Sequence, residues 1–258
     1  MLLGIVLSLG STLVYAQAST GPNKVYIEQV GSSNTLVIQQ VGGTNNVGGV
    51  TNTTATTVDA TGTTTLTPAA PASTNYGLIS GSNNNLSITQ TGDNNSAQYS
   101  IRGNQNNYTS TVTGNNNQTS LTIGNLQSPT NLRNNITETI AGDNNLTIQQ
   151  VVGNDITSTT TITGNNNQIT SNQLSTKGIV TNTVLGNYNI FNIQQIDTAG
   201  ALGHSLVMST TGDYNSTTVQ QQGFNDTTVN ISTTGSHNTI TVRTSSTAIS
   251  SPATAIAR

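Results

Sequence analysis

The chain has 258 residues, of which only 6% are charged and 3% aromatic, with a formal net charge of −3. A typical soluble domain has ~25% charged residues, so this composition argues against an ordinary globular enzyme with a thick apolar core. The near-neutral charge gives no electrostatic reason to expect nucleic-acid binding. The absence of cysteine excludes disulfides and thiolate chemistry. A neutral chain rich in Asn, Thr, Ser, Gln and Gly is typical of stacked β-structure.

The first element in chain order is residues 1–18, MLLGIVLSLGSTLVYAQA, an apolar run that ends in small residues. Val14 and Ala16 have the spacing of small residues at a secretory cleavage site, as do Ala16 and Ala18. The run is shorter than the ~20 residues that span a bilayer. We interpret residues 1–18 as a signal peptide, with a buried N-terminal helix or strand as the alternative. This interpretation predicts a secreted protein, extracellular or on the cell surface, with no membrane span in the mature chain.

Residues 19–243 contain a repeat of eleven residues. Gly81, Gly92, Gly103 and Gly114 follow one another at this interval, and each is followed three residues later by asparagine. Glycine and asparagine tolerate the left-handed backbone that a tight turn requires. The same Gly-x-x-Asn pair recurs at Gly142/Asn145, Gly164/Asn167, Gly186/Asn189, Gly212/Asn215 and Gly235/Asn238.

Between these turns, the positions five, seven and nine after the glycine are mostly apolar or glutamine, as in Leu36-Ile38-Gln40. Such alternation predicts a half-buried β-strand. Each eleven-residue half-repeat is therefore one strand and one turn, and two half-repeats form a strand–turn–strand rung of about 22 residues. The predicted fold class is all-β, a two-sheet β-solenoid of about eight rungs.

Stacking of rungs places glutamine over glutamine and asparagine over asparagine. Side-chain amides both donate and accept, so such a row, here called a ladder, satisfies polar groups whose burial is otherwise costly. The predicted ladder and turn residues are Gln29, Gly31, Asn34, Gln40, Gly42, Asn45, Asn84, Gln90, Gly92, Asn95, Asn106, Asn117, Asn145, Asn167, Asn189, Gln195, Asn215 and Gln221.

The repeat has interruptions. Residues 48–75 are Thr-rich and contain two prolines, which predicts a surface loop inserted into the unit that begins at Gly42. Shorter insertions are expected near residues 125–130 and 197–200. Residues 244–258 are a polar, Pro-containing C-terminal tail.

Two positions inside the repeat are irregular. The apolar alternation in LTIQQVVG, residues 146–153, slips by one residue, and a β-bulge would absorb the slip. Glu138 falls on a position that the repeat assigns to the interior. This placement implies a protonated carboxyl group, a place near the end of a rung, or a local error in the repeat frame.

The stretch QVGSSNTLVIQQVGGTNN, residues 29–46, resembles the curlin repeat of curli-type functional amyloids. The match is best at residues 23–46, 81–95 and 186–195. This resemblance implies a β-solenoid that is secreted unfolded, nucleated at the cell surface and extended end to end into fibres for adhesion and biofilm matrix. The residues that match the family's ladder and turn positions are Gln29, Gly31, Asn34, Gln40, Gly42, Asn45, Gln90, Gly92, Asn95, Gln195, Gln221 and Gly223.

The partners that the resemblance implies are further copies of the chain, a nucleator or minor subunit, and secretion machinery. Growth would occur by β-augmentation, in which the unpaired end of one solenoid templates the next copy. A discrete solenoid that does not polymerise, such as an adhesin or a virion surface component, is an alternative.

Catalytic and metal-binding signals are weak. His204 and His237 lie at predicted turns and are expected to be exposed, and no pre-organised cluster of the Ser/His/Asp kind is indicated. Asp93, Asp143 and Asp213 each follow a turn glycine. One acid per turn favours a capping role over a calcium site, which needs six or more oxygens. We predict no enzymatic activity, no catalytic or metal-binding residues and no cofactor.

A second functional alternative comes from outward positions. The pattern Thr-x-Thr recurs in alternate half-repeats, which predicts one sheet face on consecutive rungs. The eight residues are Thr109, Thr111, Thr137, Thr139, Thr159, Thr161, Thr181 and Thr183. This array resembles the ice-binding face of some antifreeze proteins, although threonine is also a common exposed strand residue.

Overall fold

The computed structural model describes most of the repeat region. Backbone is described for residues 3–6, 10–17, 23–48, 53–54, 67–68, 77–124, 133–197, 203–223, 226–246 and 253–257. Side chains are described for residues 23–27, 31–48, 77–124, 133–197, 203–223 and 226–245. The predicted short insertion at 125–130 and most of that at 197–200 lie outside the described residues.

Every regular element of the described residues is a β-strand. In chain order the strands are β1 (Leu3–Val6), β2 (Gly10–Gln17), β3 (Lys24–Val30), β4 (Asn34–Val41), β5 (Asn46–Val47), β6 (Thr53–Thr54), β7 (Thr67–Pro68), β8 (Gly77–Ser80), β9 (Asn85–Thr91), β10 (Ser96–Arg102), β11 (Asn107–Thr113), β12 (Gln118–Ile123), β13 (Asn135–Ala141), β14 (Leu146–Val151), β15 (Thr157–Thr163), β16 (Gln168–Leu174), β17 (Ile179–Leu185), β18 (Ile190–Asp197), β19 (Ser205–Thr211), β20 (Ser216–Gly223), β21 (Thr228–Thr234), β22 (Thr239–Ser246) and β23 (Ala253–Ala257).

The strands form two parallel sheets, and successive strands alternate between them. Sheet 1 has the order β1-β3-β5-β10-β12-β14-β16-β18-β20-β22, with β8 also pairing β10 and β3. Sheet 2 has the order β2-β4-β9-β11-β13-β15-β17-β19-β21-β23. Between the first and last strand pairs lie about eight turns spaced ~23 residues apart, so the predicted β-solenoid is confirmed.

The Thr-rich insertion interrupts a single strand position of sheet 1. On β10, Ala97 faces Val47 of β5, and Ser100 faces Leu78 of β8. Gly48 and Gly77 therefore take neighbouring positions of one strand, and the insertion begins and ends one residue later than predicted. Within it, β6 and β7 pair antiparallel.

The predicted bulge at residues 146–153 is absent. β14 pairs in unbroken register with β12 and with β16. Thr147, Gln149 and Val151 face the interior, whereas Leu146 and Ile148 take the alternate, outward positions, although Ile148 is only 7% exposed. The apparent slip in the sequence arises because two apolar residues occupy outward positions.

Both chain ends extend the sheets. β1 and β2, inside the predicted signal peptide, pair with β3 and β4. At the other end, β23, inside the predicted tail, pairs with β21. None of the described residues belongs to a helix that is long and apolar enough to cross a membrane.

The core is a thin strip between the two sheets. Leu36 and Ile38 of β4 lie beside Leu86 and Ile88 of β9, and all four are fully buried. Alternation of inward and outward residues continues from β8 through β21, as in the pattern of β15, where every second side chain is buried. Each strand thus contributes only two or three inward side chains, many of them polar.

Candidate functional site

Most turns of the solenoid share one backbone geometry, which begins with glycine. Gly114 has φ +126, and a Cβ placed there would lie 2.0 Å from the carbonyl oxygen of Gly142 on the next turn. Two residues further on, Asn116 is left-handed with φ 58. Glycine is therefore needed for two reasons, its positive φ and the close contact between stacked turns. Sequence reasoning identified the first reason and missed the second.

Two edges of the solenoid are formed by these turns. Edge 1 consists of the turns that run from sheet 1 to sheet 2, and edge 2 consists of those that return. Asparagine follows the glycine on both edges, but the two edges differ in how far the asparagine ladder extends.

Edge 2 carries a continuous ladder of asparagines, all of them buried except the half-buried Asn238. The side chain of Asn145 shows the pattern: its Oδ1 accepts from the backbone N–H of Asn167, and its Nδ2 donates to the carbonyl of Gly164 at 2.8 Å. Each link joins neighbouring turns by both backbone and side chain. The ladder consists of Asn23, Asn45, Asn95, Asn117, Asn145, Asn167, Asn189, Asn215 and Asn238.

The ladder on edge 1 is shorter. Asn34, Asn84, Asn106 and Asn134 are linked in the same way, and the Oδ1 of Asn134 accepts from the N–H of Ile156 at 2.9 Å. Beyond Ile156 the equivalent positions are no longer asparagine. Turns of edge 1 and edge 2 alternate along the sequence. Dividing the turns into these two alternating sets would have revealed that only one set keeps its asparagines throughout.

Glutamines form two short ladders inside the core. Gln40 donates from Nε2 to Oε1 of Gln90 at 3.0 Å, and Gln195 donates in the same way to Gln221 at 2.9 Å. All four side chains are fully buried. Gln29 belongs to β3, but its side chain lies outside the described set.

The turn acids cap backbone N–H groups of the preceding turn. Asp93, Asp143 and Asp213 accept from the N–H groups of Gly43, Asn115 and Asn187, at 2.6, 2.6 and 2.7 Å. The turn asparagines between them do the same; Asn165, for example, accepts from the N–H of Asp143. A second, partly exposed ladder thus runs beside the asparagine ladder on edge 2. The described residues contain no cluster of acids and histidines suited to a metal ion.

Glu138 lies in the core, as the repeat predicted. It is 1% exposed, and its Oε2 accepts a hydrogen bond from the hydroxyl of Tyr108 at 3.0 Å. Burial raises the pKa of Glu138 from 4.5 to about 7, and the hydroxyl donors around it oppose this effect only in part. The same burial, with the Glu138 charge, raises the pKa of Tyr108 well above 10.

The prediction that His204 is an exposed turn residue was wrong. Its side chain is fully buried, with Nε2 3.0 Å from Oδ1 of Asp197 and Nδ1 2.9 Å from Oγ1 of Thr227. Burial raises the pKa of Asp197, while the nearby His204 and a backbone N–H from Thr176 lower it. His204 occupies a position equivalent to the edge 1 asparagines, which is why the sequence pattern placed it at a turn without indicating its burial. His237 is exposed, as expected.

The threonine pattern forms a regular array on the outer face of sheet 2. Thr109, Thr137, Thr159 and Thr181 follow one another in register across β11, β13, β15 and β17. The second column, two residues further along each strand, consists of Thr111, Thr139, Thr161 and Thr183.

A column of rings on edge 2 was not identified from the sequence. Tyr188 and Tyr214 stack with ring centroids 4.8 Å apart and planes 1° from parallel, and His237 stacks on Tyr214 at 5.0 Å. All three occupy the left-handed turn position, two residues after glycine. The shared offset from glycine was the available signal.

Fold and side-chain arrangement together define the chain as a β-solenoid repeat protein with asparagine and glutamine ladders. No protein-family model, curated protein or solved structure matches it.

Proposed function

We propose that this chain is a secreted, non-enzymatic structural protein that assembles end to end into curli-like amyloid fibres for adhesion and extracellular matrix. The observation that carries the proposal is the in-register parallel stacking of both sheets, linked along edge 2 by an uninterrupted asparagine ladder. Parallel strands stacked at ~4.8 Å direct their backbone donors and acceptors along the solenoid axis, so an additional rung can be supplied by another copy.

The turn of Asn238 on edge 2 supports a specific mode of attachment for the next copy. Asn238 donates from its backbone N–H and from Nδ2 to Oδ1 of Asn215, in the same way as the ladder asparagines from Asn117 to Asn215. Its own Oδ1 is the next acceptor of the series. A Cβ at Gly235 would contact, within 4 Å among the described residues, only the Nδ2 of Asn238 at 3.6 Å. The proposed fibre contact places the Asn23 turn of a second copy on the Asn238 turn of the first.

Fibre assembly is tested on the chain lacking residues 1–18. Thioflavin T fluorescence and electron microscopy should show fibres that form after a lag, and preformed seeds should abolish the lag. A stable monomer that does not respond to seeds would contradict the fibre proposal and would favour a discrete adhesin-like solenoid.

Ice binding is the second candidate, because the structure brings all eight threonines into two columns on one face. The folded monomer should then inhibit ice recrystallisation, and Thr161→Lys at the centre of the array should remove the effect. Thr122→Lys on the outer face of sheet 1 is the matched control. Equal activity of the two variants, or no activity in the unaltered monomer, would exclude this function.

A further inference from the structure

We propose that Tyr188 and Tyr214 form a site of oxidative modification, at which their rings become joined as a dityrosine. The proposal concerns two turns of one chain, so it stands independently of fibre formation.

Backbone hydrogen bonds hold the two tyrosines on neighbouring turns. The N–H of Tyr188 donates to the carbonyl of Asn165, and the N–H of Tyr214 donates to the carbonyl of Asn187, each at 3.0 Å. Both residues have φ 56. Because their backbones are superimposed along the solenoid axis, the two side chains leave the turn in the same direction and stack. Their proximity is therefore a property of the fold and does not depend on chance encounter.

Both rings are open to solvent. Tyr188 is 48% exposed and Tyr214 is 52% exposed. An exposed side chain at a turn can rotate about its χ angles, so the ortho carbons of two parallel rings can approach each other from the stacked arrangement. The exposed ring edges also allow a diffusing oxidant to reach the phenols.

The chain offers few competing targets. It contains no cysteine and no tryptophan. Among the described residues, Met208, Tyr99 and Tyr108 are buried. The stacked pair is therefore the most accessible place among the described side chains at which two phenoxyl radicals could meet within one chain.

The chemistry balances with a peroxidase and hydrogen peroxide as the oxidant. Each phenol loses one electron and one proton, and the two radicals couple through a carbon–carbon bond between their ortho positions. Re-aromatisation restores both hydroxyl groups, so the pair loses two hydrogen atoms in total. Hydrogen peroxide takes up two electrons and two protons and becomes two molecules of water. The product is a covalent link between the turns at residues 186–189 and 212–215.

The experiment oxidises the dilute, monomeric full chain with a peroxidase and limiting hydrogen peroxide. Cleavage before aspartate separates residues 155–196, which contain Tyr188, from residues 213–225, which contain Tyr214. Mass spectrometry should find these two fragments joined, with the loss of two hydrogen atoms, and the product should show dityrosine fluorescence. Tyr188→Phe and Tyr214→Phe should each eliminate the joined fragment, whereas Tyr26→Phe should leave it.

Denaturant supplies a test that requires no variant. Unfolding the chain before oxidation should remove the preference for the 188–214 pair, because the stacked backbone creates that preference. The proposal is overturned if the folded, unaltered chain yields no joined fragment. It is also overturned if the link persists in either Phe variant, or if folded and unfolded chains yield the same mixture of tyrosine pairs.

Discussion

At the scale of single residues, Glu138 is a carboxyl group buried in a core that has no basic partner on the described strands beside it. Its hydrogen-bond donors include the hydroxyls of Tyr108 and, at 3.4 Å, Ser110. These donors stabilise a carboxylate less than bulk water does, so the folded protein retains the proton that the unfolded chain releases.

The first prediction is that stability decreases as pH rises. The pKa of Glu138 is about 7 in the folded protein and near 4.5 in the unfolded chain, so the folded state binds more protons between these values. The stabilisation is complete below pH 4.5 and is lost as pH rises through about 7, a change of ~3 kcal/mol. Glu138→Gln should remove this dependence. Urea unfolding at several pH values measures the free energy of unfolding. If this free energy depends on pH in Glu138→Gln as it does in the unaltered chain, Glu138 is not the group responsible.

The second prediction separates the two reasons for glycine in the turns. Gly114→Ala introduces a positive-φ strain of ~1–3 kcal/mol and also a clash with the Gly142 carbonyl. Gly235→Ala introduces strain at φ +110 but, among the described residues, meets no such carbonyl. Gly114→Ala should therefore lower the free energy of unfolding by more than Gly235→Ala. If both variants lose the same free energy of unfolding, the clash with the carbonyl of the next turn adds nothing to the strain of the positive φ.

At the scale of elements, the ladders explain how a thin core tolerates so many amides. A side-chain amide that is buried alone costs free energy, whereas Gln40 and Gln90 satisfy part of each other's hydrogen bonding across β4 and β9. The outward neighbour Gln39 is exposed on the same strand.

The third prediction follows from this contrast. Replacing Gln40 and Gln90 together with alanine should destabilise the monomer by ~2–5 kcal/mol, because it opens a cavity and leaves polar groups unpaired. The double variant should also assemble into fibres more slowly than Gln39→Ala. Unfolding and thioflavin T kinetics measure the two effects, and equal behaviour of the variants would contradict the inward assignment.

At the scale of the whole molecule, the solenoid is built by contacts between residues about two half-repeats apart. An insertion is therefore tolerated where it leaves the pairing register of the following strands unchanged. The Thr-rich insertion illustrates this point, because β5 and β8 on either side of it share one strand position between β3 and β10. Its ends lie side by side, so the insertion adds length without shifting any later rung.

The fourth prediction is that deletion of residues 49–76 preserves the fold. Joining Gly48 to Gly77 would create one continuous strand from Asn46 to Ser80 in the register already present. Removing a long loop should leave thermal stability unchanged or slightly raised, because loop closure costs entropy. Circular dichroism and thermal unfolding test this, and loss of cooperative unfolding would contradict the register.

The fifth prediction concerns the molecular end. Asn238→Ala should slow fibre elongation and leave the free energy of unfolding of the monomer little changed, because Asn238 is the last described member of the edge 2 ladder. Ser236→Ala in the same turn is the control. Equal elongation rates for the two variants would argue against an Asn238–Asn23 contact between copies.

The sequence alone determined the class of fold, because an eleven-residue period with alternating apolar positions has few solutions other than stacked strands and turns. It also placed Gln40, Gln90 and Glu138 in the interior from local alternation. Only the tertiary structure decided that the asparagine ladder is longer on edge 2 than on edge 1, that His204 is buried, that β14 continues without a bulge, and that Tyr188 meets Tyr214. Each of these depends on which residue lies above which in the next turn, and that register is set by contacts about 22 residues apart, outside any local pattern.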